Sequence, residues 1–149
     1  MRHVRFKREF MKQTNQQIVD RFFEAFQKHD RNSIKEVMDE NATWYFLGRH
    51  PLAGVKQGLD EVIAFFDTMA AIMAKSKPTV EKPIVSENEN YLIECARTRT
   101  NSEDGINIDH FASVLWTFKN GKIIEGRHFF ADPEAVDKYF TAVAQRQKS

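Results

Sequence analysis

Residues 41–66, NATWYFLGRHPLAGVKQGLDEVIAFF, decide the fold. Ala42 to Leu47 reads as a short aromatic strand, and Gly48 to Gly58 as a Gly/Pro loop. An amphipathic helix follows, with Val62, Ile63, Phe65, Phe66, Met69, Ile72 and Met73 at three- and four-residue spacings. A strand that passes through a long loop into a helix, ahead of a chain that turns almost wholly to strand, predicts one helical layer laid across a curved sheet.

Upstream, Ile18, Val19, Phe22, Phe23 and Phe26 share one helical face from Asn15 onward, opposite Asp20, Arg21, Glu24 and Lys28. Ser33 with Glu36 reads as a capping box for a short second helix through Met38, with Asp30 to Asn32 as its turn. Downstream, Thr79 to Ser86 is a strand that Pro83 assigns to an edge or a bend. Tyr91 to Asn101 and Asn107 to Lys119 are long strands, and Asn120-Gly121 turns the chain into a strand from Lys122 to Ala131. Asp132-Pro133 supplies an N-cap and first-turn proline for a last helix through about Gln145.

The register across Asn120-Gly121 sets which side chains share a face. A two-residue turn pairs Ser113 with His128, whereas a turn with a glycine bulge pairs Ala112 with His128 and Trp116 with Ile124. The bulged register is preferred. It gathers His110, Ala112, Val114, Trp116, Phe118, Ile124, Gly126, His128 and Phe130 on one face, the expected pocket lining, with Ala112 and Gly126 leaving room.

Composition narrows the partners. Lys and Arg number 22 against 21 Asp and Glu, a net charge of +1, which leaves no field for nucleic acid or an anionic membrane. No apolar run approaches a membrane span, and the lone Cys95 excludes an intramolecular disulfide and fits a reducing, cytoplasmic setting. His, Glu and Cys show no metal-ligand spacing, so neither a metal nor a cofactor is expected. Residues 1–12, MRHVRFKREFMK, read as an extension ahead of a single domain over residues 13–146, with Met11 as a second possible start.

This order of elements resembles the nuclear transport factor 2-like superfamily, the α+β cystatin-like cone shared by ketosteroid isomerases and SnoaL-like polyketide cyclases. The resemblance rests on His50-Pro51-Leu52-Ala53-Gly54, on Gly58-Leu59-Asp60-Glu61-Val62, and on Gly121-Lys122-Ile123 with Arg127-His128-Phe129-Phe130. It implies a curved antiparallel sheet wrapped on the N-terminal helices around an enclosed apolar pocket. It also implies site positions: the isomerase base falls on Phe46, the oxyanion tyrosine on Phe22 and the partner acid near Val114. An epoxide hydrolase-like relay would occupy Trp44, Phe46, Cys95, Arg97 and His128. Most of these residues move no proton.

His128 remains, and an imidazole of ordinary pKa near ~6.5 suits proton abstraction beside a carbonyl. A donor must stabilise the developing oxyanion, and Arg97, His110 and Trp44 are the candidates. His128, Arg97 and His110 are therefore the catalytic candidates. The ligand-lining candidates are Trp44, Phe46, His50, Phe22 and Phe66, together with Cys95, Ala112, Val114, Trp116, Gly126 and Phe130. The sequence supports a pocket for a hydrophobic small molecule, with cofactor-free isomerase, cyclase or lyase chemistry, a non-catalytic binding module, or a dimeric interaction protein as alternatives. A homodimer through the outer sheet face, with Phe111, Leu115, Ile123 and Phe129, is compatible with each.

Overall fold

The computed structural model describes residues 13–146, so the expectations for residues 1–12 lie outside the described residues. Four helices and a six-stranded sheet form the α+β cone: α1 (Asn15–Gln27), α2 (Arg31–Val37), β1 (Met38–Phe46), β2 (Gly54–Gln57), α3 (Leu59–Ser76), β3 (Thr79–Glu87), β4 (Tyr91–Arg99), β5 (Asp109–Lys119), β6 (Lys122–Phe130) and α4 (Pro133–Arg146). Strand order is β2-β1-β6-β5-β4-β3.

Local chemistry explains the helix ends. Thr14 caps α1 through a reciprocal pair, its hydroxyl accepting from the Gln17 amide at 3.1 Å while the Gln17 side chain accepts from the Thr14 amide at 2.9 Å. The second helix begins earlier than the expected Ser33 box, because the Asp30 carboxylate accepts from both the amide and the hydroxyl of Ser33. Asp132 caps α4 ahead of Pro133 as expected, accepting from the Ala135 amide at 3.1 Å.

The sheet departs from expectation in three places. First, β1 starts at Met38 and pairs with β6 in parallel, so the sheet is mixed. Second, the Gly48–Gly58 segment is no plain loop: Gly54–Gln57 folds back as β2 against Thr43 to Phe46. Third, neither expected register across Asn120-Gly121 forms. Asn120 and Gly121 take φ of 53° and 76°, the two positive values of a tight two-residue turn, and Lys119 faces Lys122. A bulge then intervenes: Phe118 faces Ile123, but Thr117 faces Glu125, leaving Ile124 as the extra residue.

That bulge restores the side-chain parity the preferred register required. Val114 faces His128, Ala112 faces Phe130 and Trp116 faces Gly126. It also corrects one assignment, since Ile123 is 0% exposed and points into the core, not onto the outer face. Pro83 behaves as expected: β3 is an edge strand, and its pairing with β4 breaks between Glu81 and Ile84.

Helices α1, α3 and α4 close the concave side. Their buried residues Phe22, Val62, Phe65 and Phe140 meet Trp44, Phe46, Leu92, Trp116 and Ile123 in one core. Each fully buried apolar side chain contributes about 1.5–3 kcal/mol relative to exposure. No helix among the described residues is long and apolar enough to cross a membrane.

Candidate active site in the cone

Parallel pairing of β1 with β6 brings Trp44 beside Gly126. The glycine is required there, because a Cβ on it would lie 2.0 Å from Trp44 Cζ3. Contrary to expectation, Gly126 therefore leaves no empty room; the Trp44 indole occupies the space. Around it the rings interlock edge to face, with Trp44 4.9 Å from both Trp116 and Phe66 and Phe22 5.2 Å from Phe66. This part of the expected pocket is packed with aromatic rings.

His128 packs against this cluster. Its ring lies 5.0 Å from Phe46, 5.7 Å from Trp44, 6.0 Å from Phe65 and 5.8 Å from Phe130. Its Nε2 is buried and has no hydrogen-bond partner among the described residues. Glu94, the carboxylate that shares the inner face, is instead paired with Lys82 at 3.1 Å. Burial among rings, with the charge of His110 adding to it, lowers the His128 pKa to about 4. The imidazole is neutral at pH 7.

Two further histidines, His110 and His50, pack against the same rings. His110 stacks on Phe130 at 6.1 Å, and its Nδ1 is buried without a partner. Burial lowers its pKa, opposed by Asp109 and Asp132. His50 lies 5.5 Å from Phe46 and 5.1 Å from Phe140. The Leu52 amide donates to His50 Nδ1 at 3.2 Å, so the neutral ring carries its hydrogen on Nε2, which is buried and unpartnered. Burial lowers this pKa too; Asp137 opposes the shift and Lys56 adds to it. The loop holds His50 in place because Gly48 lets it approach α4: a Cβ at Gly48 would lie 2.8 Å from Asp137 Oδ1 and 2.9 Å from His50 Cδ2.

Two candidates leave the site. Phe111 is 48% exposed on the convex face, and it faces Arg97 across the ladder. Arg97 lies over the Phe111 ring and makes a bidentate pair with Asp109 at 2.9 Å for each bond. It cannot serve as an inward donor. Cys95 shares that outward parity, opposite Ser113, and so does not line the cone. Ala112 and Val114 lie on the inner face with His110 and Trp116, as expected.

The indole Nε1 atoms of Trp44 and Trp116 are also buried without partners among the described residues. The inner face thus carries donors of the kind Arg97 was expected to supply: Trp44 Nε1–H, Trp116 Nε1–H and His50 Nε2–H. Two participants were missed from the sequence, Phe65 and Lys56. Phe65 belongs to the stripe Val62, Phe65, Phe66, Met69, whose helical spacing marks burial without saying which ring faces the site. Lys56 was hidden in a segment read as loop.

A mixed sheet curled over helices, with an aromatic interior and a buried histidine on the last strand, defines a cone of the SnoaL type. The chain belongs to the SnoaL-like domain family, whose model matches residues 19–126, and its fold is that of solved NTF2-like structures. It is 31% identical over 124 residues to the uncharacterized protein Rv0034 of Mycobacterium tuberculosis, covering 83% of this chain and 93% of that one. The structure of Bal32a from a soil-derived mobile gene cassette superposes with a TM-score of 0.68 at 28% identity, over 85% of this chain and 95% of that one. A structure described as a candidate SnoaL-like polyketide cyclase from Jannaschia sp. CCS1 gives 0.60 at 20% identity, over 89% and 98% of the two chains.

Proposed function

We propose that the cone binds a hydrophobic small molecule and that His128 acts as a cofactor-free general base beside a carbonyl, the chemistry of an isomerase, cyclase or lyase. One observation carries this reading: buried polar atoms without partners, His128 Nε2, Trp44 Nε1 and Trp116 Nε1, gather on one apolar face. Buried polar groups are nearly always paired, and a convergent set of unpaired ones is where a ligand's oxygen and acidic C–H fit. His128 is the base because it is neutral at pH 7, and the indole N–H groups are the donors that stabilise an enolate. The low pKa has a cost, since a weaker base demands a more acidic C–H.

The test uses 2-tetralone in D2O, following loss of its α-proton signals by NMR. The protein is expected to accelerate exchange over buffer. His128→Gln is expected to return it to the buffer rate while still binding the ketone. Exchange that persists in His128→Gln would remove the base assignment, and binding without any exchange would leave the non-catalytic module.

A second reading concerns the convex face, where Phe111 and Phe129 are 48% and 50% exposed and Ile84 and Ile93 join them. A second copy of the chain, packed sheet to sheet, would cover these residues. Phe111→Glu is expected to shift the wild-type dimer to monomer by light scattering. A monomeric wild type, or a variant that stays dimeric, sinks this interface.

A further inference from the structure

A cleft of about 290 Å³ opens between the segment Pro51–Lys56 and α3, lined by Leu52, Lys56, Glu61, Ala64, Phe65 and Met69. Phe65 is one of its walls, and the same ring packs at 4.9 Å from Phe46 and 6.0 Å from His128. The Phe65 ring is therefore shared between the open cleft and the cluster that holds the unpartnered Nε2 of His128.

The charges of the cleft differ in how they are used. Glu61 is exposed in the first turn of α3, where a carboxylate is favoured by the amide dipoles at the helix N-terminus. Lys56 is half-buried; its ammonium donates only to the Leu52 carbonyl, at a long 3.4 Å, and pairs with no carboxylate among the described residues. A partly desolvated ammonium beside apolar walls favours a ligand that brings its own anion.

We propose that this cleft is the anchoring site for a small organic acid with a flat apolar body. Its carboxylate pairs with Lys56 and its body lies on Leu52, Met69 and Phe65. Turning of the Phe65 ring admits the far end of the body toward His128. The anchoring half stands on the cleft alone, whereas the route inward rests on the reading of His128 as the reacting group.

The test compares 1-naphthoate with its methyl ester by titration calorimetry, with tryptophan fluorescence as a second readout. The protein is expected to bind the acid about tenfold more tightly than the ester, the scale of one charge-assisted hydrogen bond. Lys56→Gln should lose that preference while keeping ester affinity. Phe65→Ala should keep the preference and add quenching of tryptophan fluorescence as the naphthyl body reaches Trp44. His128→Gln should keep the preference for acid over ester, so failure of the base assignment and failure of the cleft are read separately. Equal affinity for acid and ester in the parent protein, no saturable binding of either, or an acid preference that survives Lys56→Gln would overturn the proposal.

Discussion

Trp44→Ala is expected to cost about 3–5 kcal/mol, the range for deleting a large buried aromatic side chain. Trp44 is 1% exposed and touches Phe65, Phe66, Trp116 and His128, and its ring fills the space that Gly126 leaves open. That loss is a large share of the roughly 5–15 kcal/mol that holds a domain of this kind folded. The deletion also makes a hole of indole shape in an apolar surround, and such cavities take up small aromatics. Added indole is expected to restore part of the stability, by about 2.7 kcal/mol at a hundred times its dissociation constant. Urea midpoints with and without indole measure both effects. A cost under about 1 kcal/mol would contradict the packing described, and a full cost without rescue would show that the cone collapses.

Lowering the pH from 7 to 4 is expected to remove roughly 3 kcal/mol through His128 alone. The sign follows from a folded-state pKa of about 4 against ~6.5 in the unfolded chain. Above the unfolded value both states are neutral and stability is flat. Between 6.5 and 4 the unfolded state takes up a proton that the folded state refuses, and stability falls steadily; below 4 this contribution is lost. His50 and His110, whose pKa values burial also lowers, act in the same direction. In His128→Phe the slope between pH 6.5 and 4 should be shallower by the His128 share. Denaturant titrations at several pH values measure it, and an unchanged slope would mean that His128 is solvated in the folded state.

Most of the fold was legible because its signals are local. The stripes Ile18, Val19, Phe22 and Val62, Phe65, Met69 marked two helices, Pro83 marked an edge strand, and Asn120-Gly121 marked the hairpin. What was not legible depends on distant pairing. Nothing in Met38 to Phe46 says that its partner is β6 and that it runs parallel. The bulge at Ile124 sits among ordinary strand residues, so the turn was placed correctly and the register beyond it was not. The facing of Arg97 hung on the pairing of β4 with β5, because charged residues lie on both sides of β4. The inner-face grouping of Trp116, Gly126 and His128 could be derived, but the filling of their space by Trp44 needed the third strand.

The parallel pairing of β1 with β6 has a consequence for how the chain reaches its native state. Residues Met38 to Tyr45 must meet Ile123 to Arg127, so a central seam of the sheet joins segments from opposite ends of the chain. During synthesis β1 has only the short β2 strand beside it in the sheet, with its other edge bare, until the last hairpin emerges. Closing so long a loop costs entropy before any contact compensates, which slows folding and leaves an aggregation-prone stage. Truncations that stop before Lys122 are thus poor candidates for soluble fragments, although they contain every helix but the last.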